Sequence, residues 1–261
     1  MKSLMKNILL KTGLWYRIQY SHWYREYKVP GYKKQMQELT EFYNTLFKSK
    51  KPSLVFDIGS NVGDHSYIFS SLCERLVCVE PDEQNNLILH TRFGDNKQVT
   101  IIKKAVTDKV GTAIFHMEAE GSVFNTLSDK WVNTLSAANK TRFEETHKFN
   151  LDREVQTTTL DKLIEQFGIP DYIKIDVEGF EKEVVSGLPV KIPMLSFECN
   201  LPEFATESSW IINHLVQLNN NASFNYLRDE GFELKKNICA TEMSAIVNSG
   251  QYRFLDIYCF N

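Results

Sequence analysis

The chain of 261 residues contains no long apolar run and only five cysteines. Because no stretch of about 18 apolar residues occurs, we expect no membrane-spanning helix. The short apolar segment at residues 8–10 is also too brief for a signal peptide. No two cysteines have the CxxC spacing of zinc or redox motifs, and their odd number favours free thiols in a reducing compartment. These absences predict a cytoplasmic protein.

The charge is small but unevenly distributed, with a net value of −3. Residues 1–51 contain 11 Lys and Arg and 3 Asp and Glu, whereas the rest contains 19 basic and 30 acidic residues. An acidic body is a poor binder of nucleic acid. Residues 1–50 therefore predict a basic, aromatic-rich helical extension. Residues 1–28 of this extension either pack on the main domain or contact a membrane surface or a partner.

From residue 53 onwards, short apolar runs alternate with helical patterns, which predicts βαβ units and a parallel sheet. The predicted strands are 53–58, 76–79, 99–106, 172–176 and 193–197. The predicted helices are 1–28 and 32–47 before this region, and 64–72, 81–93, 160–167, 180–186 and 210–218 within it. Residues 244–247 and 252–260 predict a terminal antiparallel pair.

A long segment interrupts this alternation between the third and fourth strands. Residues 111–117 and 154–158 predict two extra strands, and residues 119–150 mix aromatic with polar side chains. An insertion of this length in a compact domain is usually functional or disordered. We interpret residues 119–150 as a substrate lid within a domain spanning 51–261, with a plain structural excursion as the alternative.

A glycine-bearing turn follows the first strand of this domain, in the sequence Asp57-Ile-Gly-Ser-Asn-Val-Gly63. Gly59 permits a backbone conformation that other residues avoid and allows a ligand to approach the main chain. Ligands of open α/β sheets bind outside the carboxyl ends of strands. Since the spacing is not GxGxxG, the loop favours a nucleoside over a pyrophosphate, and a structural tight turn is the alternative.

An acid ends the second strand, where Glu80 precedes Pro81 and lies 21 residues after Gly59. In nucleotide-binding α/β folds a carboxylate at this position accepts hydrogen bonds from a ribose diol. The alternative is a solvated acid that stabilises the start of the next helix.

Charged residues also follow the fourth and fifth strands. Tyr172, Lys174 and Asp176 share one strand face, where charges are costly unless they are paired or functional. Asp176 and Glu178 therefore predict a site at the strand end, and a structural Lys174–Asp176 ion pair is the alternative. Glu198 would line the same crevice or remain a solvated loop acid.

These motifs together resemble the FkbM-type methyltransferases. The resemblance spans about residues 53–200 and rests on the glycine turn, Glu80-Pro81, Ala105-Val-Thr-Asp108, Thr159-Leu-Asp161 and above all Lys174-Ile-Asp-Val-Glu-Gly-Phe-Glu181. It implies a class I, Rossmann-like fold with a mostly parallel seven-stranded sheet and helices on both faces. It also implies S-adenosylmethionine as cofactor, and it does not explain the N-terminal extension.

The resemblance further implies roles for individual residues. The cofactor would be bound by Asp57, Gly59, Ser60, Asn61, Gly63, Glu80, Pro81, Ala105, Val106 and Asp176. The catalytic set would be Asp176, Glu178, Lys174 and Glu198. Asp176 is the first candidate for the base, and Glu178, Glu198 and His116 are the other candidates. Three carboxylates suit Mg²⁺, but nothing in the sequence fixes their convergence, so the prediction is a site without metal.

The resemblance predicts O-methylation of a sugar hydroxyl in a glycan or polysaccharide, because aromatic and polar residues together suit a sugar ring. Secondary metabolites are the alternative acceptors. A catalytically inactive scaffold in glycan assembly and an NAD-dependent oxidoreductase are the competing functions.

Overall fold

The computed structural model describes residues 14–137, 146–228 and 231–261. Within these residues the helices are α1 (Leu14–Gln19), α2 (His22–Lys28), α3 (Tyr32–Leu46), α4 (Asp64–Leu72), α5 (Glu83–Phe93), α6 (Asp129–Ser136), α7 (Leu160–Phe167), α8 (Glu181–Ser186), α9 (Ala205–Leu218) and α10 (Ala240–Val247). The strands are β1 (Leu54–Ile58), β2 (Arg75–Val79), β3 (Val99–Ile102), β4 (Ala105–Val106), β5 (Gly111–Met117), β6 (Leu151–Thr158), β7 (Tyr172–Ile175), β8 (Met194–Asn200), β9 (Ser223–Leu227) and β10 (Phe254–Phe260).

The main sheet has seven strands in the order β3-β2-β1-β7-β8-β10-β9. The first five strands in this order are parallel, and β10 runs antiparallel between β8 and β9. Ile58 pairs with Val79 on one side and with Ile175 on the other. The carboxyl ends of β1, β2 and β7 therefore meet at one edge, and the predicted mostly parallel seven-stranded fold is confirmed.

Helices cover both faces of this sheet, because its strands carry apolar side chains on both sides. One face packs against α3, α4 and α5. The opposite face packs against α7 to α10. In α3 the apolar residues recur every three to four positions, and this stripe is buried against the sheet. The described part of the N-terminal extension therefore packs on the domain, while the predicted membrane or partner contact stays a prediction.

The predicted strand 99–106 is two strands that belong to different sheets. β3 pairs with β2 in the main sheet, whereas β4 pairs with β6 in a separate sheet of order β4-β6-β5. Lys103 and Lys104 lie between them, outside both strands. The two lysines interrupt the apolar run, and the chain turns from one sheet to the other there. The predicted extra strand at 154–158 begins earlier, at Leu151.

The predicted terminal strand at 244–247 is wrong, because these residues end helix α10. Met243 and Val247 are buried one helical turn apart, and Glu242 accepts a hydrogen bond from the Cys239 backbone at the start of the helix. The antiparallel partners of β10 are instead β8 and β9. A short apolar window fits strand and helix equally well, and here the i, i+4 contact decides.

Three predicted helix bounds also change. The expected single helix at 1–28 is divided at Tyr20–Ser21 into α1 and α2 over its described part, and residues 1–13 lie outside the described residues. The helix predicted from Pro81 begins at Glu83, because the Asp82 side chain accepts the first free backbone N–H groups. The helix predicted from residue 210 begins at Ala205.

The sequence predicted that the chain has no membrane-spanning helix and that its cysteines are free thiols. In the part of the chain that the structure describes, none of the helices is long and apolar enough to cross a membrane. All five cysteines are free thiols, and four of them are buried.

Candidate active site

Strand β1 places a buried carboxylate just before the glycine turn. Asp57 is 1% exposed, and Ser66 of α4 donates a hydrogen bond to its Oδ2 atom. Burial raises the pKa of Asp57, while the Lys174 ammonium and the Ser66 hydrogen bond oppose the rise. Its Oδ1 atom is buried and has no hydrogen-bond partner among the described residues. Asp57 Oδ1 is thus a buried hydrogen-bond acceptor that lacks a donor among the described residues.

Gly59 is required by the approach of two strand ends. Its φ angle is +78°, and a Cβ atom there would lie 1.7 Å from the carbonyl oxygen of Asp176. Its backbone N–H donates to Val79 of β2 at 2.9 Å. The glycine therefore allows the β1 loop to contact the end of β7. Gly59 also lines the nucleoside and glycine-loop cavities described below, and its predicted contact with a ligand stays a prediction.

Gly63 also has a packing role. A Cβ atom there would lie 2.7 Å from both Leu89 and Phe93 of α5. The cofactor role predicted for Gly63 stays a prediction.

Glu80 is held rigidly at the end of β2. Its Oε2 atom accepts the backbone N–H of Asn61 at 2.9 Å, and its Oε1 atom accepts that of Asp82 at 2.8 Å. Burial raises the pKa of Glu80 to about 7, although these two hydrogen bonds lower it. An ionised carboxylate has about four acceptor positions, and the protein donors leave part of them for a ligand.

A cavity of about 750 Å³, which we call the nucleoside cavity, opens above Glu80. It is lined by Gly59, Asn61, Val79, Glu80, Pro81, Asn85, Lys104, Ala105, Val106, Phe115, Ser122, Val123, Asn125, Leu127, Asp176, Val177, Glu178 and Phe180. The structure thus brings Glu80 and Asp176 to one cavity, together with the predicted residues Pro81, Ala105 and Val106.

Lys174 and Asp176 form the ion pair that the sequence left as an alternative. The Lys174 Nζ atom donates to Asp176 Oδ2 at 2.7 Å, and Lys174 is only 8% exposed. Burial by itself lowers the pKa of Lys174, but the carboxylates of Asp176 and Asp57 outweigh it and leave the pKa raised. Lys174 is therefore a fixed cation that holds the Asp176 carboxylate in place.

Two further cavities adjoin this ion pair. The glycine-loop cavity, of about 1050 Å³, is lined by Tyr20, Arg25, Tyr32, Gln35, Met36, Leu39, Asp57, Gly59, Ser60, Asn61, Val62, Asp64, His65, Gly121, Val123, Lys174 and Asp176. The strand-end cavity, of about 870 Å³, is lined by Gln35, Leu39, Tyr43, His65, Lys174, Ile175, Asp176, Ser196, Glu198, Leu227, Arg228, Gly231, Phe232, Phe254, Asp256 and Tyr258. Among the described residues, Asp176 is the one that lines all three cavities.

Glu178 and Glu198 converge with Asp176, and one carboxylate oxygen of each lies within 4.8 Å of the others. Each has a protein donor as well: Trp131 Nε1 donates to Glu178 at 3.0 Å, and Asn200 Nδ2 donates to Glu198 at 2.9 Å. The sequence did not fix this convergence. Each of the three carboxylates thus accepts a hydrogen bond from a protein donor. The predicted absence of a metal stays a prediction.

His116 is a candidate base that the structure does not bring to the site. Its two ring nitrogens lie 2.8 Å from Asp152 and 3.0 Å from Asp129. The neighbouring Phe115 lines the nucleoside cavity instead. Because side chains alternate along a strand, the site and His116 lie on opposite faces of β5.

The described part of the predicted lid forms a wall of the nucleoside cavity. Ser122, Val123, Asn125 and Leu127 line this cavity. Thr126 donates from its hydroxyl to the backbone carbonyl of Glu178 at 2.7 Å. The segment is thus tied to the strand-end acids, and residues 138–145 lie outside the described part.

Asp82 joins this wall to helix α5. Its Oδ1 atom accepts the backbone N–H groups of Gln84 and Asn85, at 2.8 and 3.0 Å. Its Oδ2 atom accepts from the Gly121 backbone and from Asn125 Nδ2, both at 3.1 Å. One buried carboxylate therefore fixes both the start of α5 and the wall.

Sequence reasoning missed His65, which lines both the glycine-loop and strand-end cavities. Its Nδ1 atom lies 2.9 Å from the Tyr43 hydroxyl of α3. Burial, followed by the Lys174 charge, lowers the pKa of His65 well below its ordinary value, so the imidazole is neutral. Its place two residues after Gly63 was the available signal, because the first turn of the helix after such a loop faces the ligand edge of the sheet.

The chain is similar to a known protein family. A family model described as the methyltransferase FkbM domain matches residues 57–234. No curated protein matches the chain at a significant level.

Three solved structures give the extent of the likeness. The methyltransferase FkbM from Methylobacillus flagellatus KT has a TM-score of 0.48 and 12% identity, covering 80% of this chain and 44% of that one. This chain therefore spans less than half of that relative. A precorrin-6y C5,15-methyltransferase from Geobacter metallireducens GS-15 has a TM-score of 0.44 and 10% identity, covering 86% and 88%. The plantazolicin methyltransferase BpumL in complex with SAH has a TM-score of 0.43 and 10% identity, covering 100% and 98%. From the family match, the chain belongs to the FkbM methyltransferase family.

Proposed function

We propose that the chain transfers the methyl group of S-adenosylmethionine to a hydroxyl of a sugar in a glycan or polysaccharide. The observation that supports this most is the position of Asp176. It borders the nucleoside cavity on one side and the polar strand-end cavity on the other. A donor and an acceptor bound in the two cavities would meet at this carboxylate.

The nucleoside cavity fits the cofactor's nucleoside. Glu80 would hold the ribose hydroxyls through its remaining acceptor capacity. The Oδ1 atom of Asn85, which also lines the cavity, is buried and has no partner among the described residues. A bound nucleoside would supply the donor that this atom lacks. Ala105, Val106 and Phe115 offer the apolar surface that a flat base needs.

S-adenosylmethionine supplies a methyl group on a positively charged sulfur, and the protein aligns the acceptor with it. Good alignment alone contributes up to about 7–11 kcal/mol to such a displacement. An alcohol stays protonated at neutral pH, so a positioned base adds about 10²–10⁴-fold. Asp176 is the proposed base, and Lys174 keeps its carboxylate oriented through the 2.7 Å ion pair.

The strand-end cavity suits a hydroxyl-rich acceptor. Its lining combines the carboxylates of Glu198 and Asp256 with the rings of Phe232, Phe254 and Tyr258. Carboxylates accept hydrogen bonds from hydroxyl groups, and aromatic rings pack against the apolar faces of sugar rings. The sequence had assigned this task to residues 119–150, whose described part lines the nucleoside cavity instead.

The direct test compares glycans from cells with and without the gene by mass spectrometry. We expect the wild-type glycan to carry one additional CH₂ per modified acceptor and the deletion strain to lack it. Complementation with the Asp176→Asn variant should fail to restore the mass. Methyl transfer to a nitrogen or to a peptide by the purified enzyme would contradict the proposed acceptor and leave the methyltransferase activity intact.

A further inference from the structure

The N-terminal extension forms part of the wall of the glycine-loop cavity. Tyr20, Arg25 and Tyr32 line this cavity together with Asp57 and Asn61. All residues before 57 lie outside the region that the family model matches. The extension therefore adds side chains to a cavity that the family domain encloses only in part.

Arg25 is the cation that the extension contributes. Its Nη2 atom donates to Asp64 Oδ2 at 2.7 Å, and its guanidinium lies over the Tyr32 ring at 4.6 Å. A guanidinium has five N–H donors. Within the described ranges Asp64 is its hydrogen-bond acceptor, and the Nε atom is buried without one. Arg25 therefore keeps unused donors at the cavity.

The same aspartate also neutralises a second arginine. Arg92 Nη1 donates to Asp64 Oδ1 at 2.8 Å and to the Val62 carbonyl at 2.6 Å. Two guanidinium groups thus share one carboxylate, and this group of side chains at the cavity has a net positive charge. A second group in the lining, Lys174 with Asp57 and Asp176, has a net negative charge when both acids are ionised.

A cavity lined by two groups of opposite net charge matches a zwitterion. The methionyl part of the cofactor carries an ammonium group and a carboxylate. Gly59, Asn61 and Asp176 line both this cavity and the nucleoside cavity, so the two spaces adjoin. We propose that Arg25 binds the methionyl carboxylate of S-adenosylmethionine, with the ammonium group at the acidic group near Asp57. This inference rests on the cofactor of the proposed function and is independent of the acceptor.

The test compares two ligands that differ only in the methionyl part. S-adenosylhomocysteine retains the amino acid, whereas 5′-methylthioadenosine lacks it. In calorimetry we expect Arg25→Met to weaken S-adenosylhomocysteine binding by about 10- to 100-fold, as for the loss of a charged hydrogen bond. Binding of 5′-methylthioadenosine should not change. The matched control is Arg17→Met, because Arg17 forms an exposed ion pair with Asp95 and should leave both affinities unchanged.

A second variant separates binding from a structural role of the same residue. Asp64→Asn removes the carboxylate that ties Arg25 to the domain and leaves the guanidinium in place. If Arg25 binds the carboxylate, this variant retains or increases affinity for S-adenosylhomocysteine. Equal weakening of both ligands by Arg25→Met, unchanged S-adenosylhomocysteine binding, or matching losses in Asp64→Asn and Arg25→Met would each overturn the proposal. A failure to find a sugar acceptor would leave these affinities unaffected.

Discussion

The nucleoside cavity and the strand-end cavity adjoin at Asp176 but are built differently. Glu80, in the first, is positioned by backbone groups 2 and 19 residues away along the chain. In the second, Glu198 of β8 lies opposite Asp256 of the neighbouring strand β10, and the His65 ring is held by Tyr43 of the N-terminal extension. The key carboxylate of the cofactor side is thus positioned by nearby chain segments, whereas the acceptor side forms only when distant segments assemble. Variants on the two sides should therefore fail in different ways.

The largest expected effect is at the shared residue. Asp176→Asn should lower turnover by about 10²–10⁴-fold, because the proposed base is lost. Binding of S-adenosylhomocysteine should weaken much less than turnover, since its sulfur is uncharged and Asp57 remains to face its ammonium group. Asp171→Asn is the control, because Asp171 holds Lys50 and the Ser53 backbone before β7, away from the cavities. Near-normal turnover of Asp176→Asn would exclude it as the base.

The next effect concerns the strand ends that support both cavities. Gly59→Ala should lower the free energy of unfolding by about 2–5 kcal/mol, because the new Cβ would overlap the Asp176 carbonyl at an unfavourable φ. Gly250→Ala has a similar φ of +72° with no atom within 4 Å of the new Cβ, so it should cost only about 1–2 kcal/mol. Urea unfolding measures the free energy of unfolding of both variants. Equal losses of stability would show that the protein relieves the overlap at Gly59 with little energetic cost.

A smaller effect is confined to the cofactor side. Glu80→Ala should weaken S-adenosylhomocysteine and 5′-methylthioadenosine alike by about 10- to 100-fold, because both ligands contain the ribose diol. Glu83→Ala is the control, since this exposed acid of α5 pairs with Lys103. Calorimetry that shows unchanged affinity in Glu80→Ala would remove the ribose role. If Glu80→Ala weakened only the binding of the acceptor, Glu80 would belong to the acceptor side.

The smallest effect is a pH dependence. Since the pKa of Glu80 is about 7, cofactor affinity should rise about fivefold as pH increases through 7, because the ionised acid is the stronger acceptor. The stability of the ligand-free protein should change in the opposite direction. The contribution of a raised pKa is fully present below pH 4.5 and is lost as pH rises to about 7.

Glu80→Gln should abolish the trend in affinity and remove part of the trend in stability, as followed by calorimetry and thermal unfolding across this range. Glu181 needs a separate control, because burial also raises its pKa to about 7. Glu181→Gln should remove part of the stability trend and leave the trend in affinity. If the affinity trend persists in Glu80→Gln, another group is responsible for it.

The local side of the comparison was predictable from the sequence. The alternation of strands and helices predicted the parallel sheet, and the spacing between Gly59 and Glu80 placed both at one cavity. The position of Asp176 followed from the end of β7. Each inference used residues whose neighbours in space are also near in sequence or fixed by the rules of parallel sheets.

The remaining features depend on contacts that no local pattern encodes. Arg25 reaches Asp64 across 39 residues, and the sequence indicated only a basic helix there. The carboxylates of Asp176, Glu178 and Glu198 come together through the positive φ of Glu178 at +56°, which its side-chain type does not predict. The strand predicted at 244–247 failed because tertiary packing selects the helix.

The shared carboxylate of Asp82 has a consequence for how the enzyme opens. Each of its two oxygens serves a different structural element, so neither element can detach without stranding a buried anion. The first turn of α5 and the wall around Asn125 should consequently open as one cooperative unit. Hydrogen exchange at the Gln84 and Gly121 amides would then proceed at a common rate, and cofactor entry and release would share that same opening step.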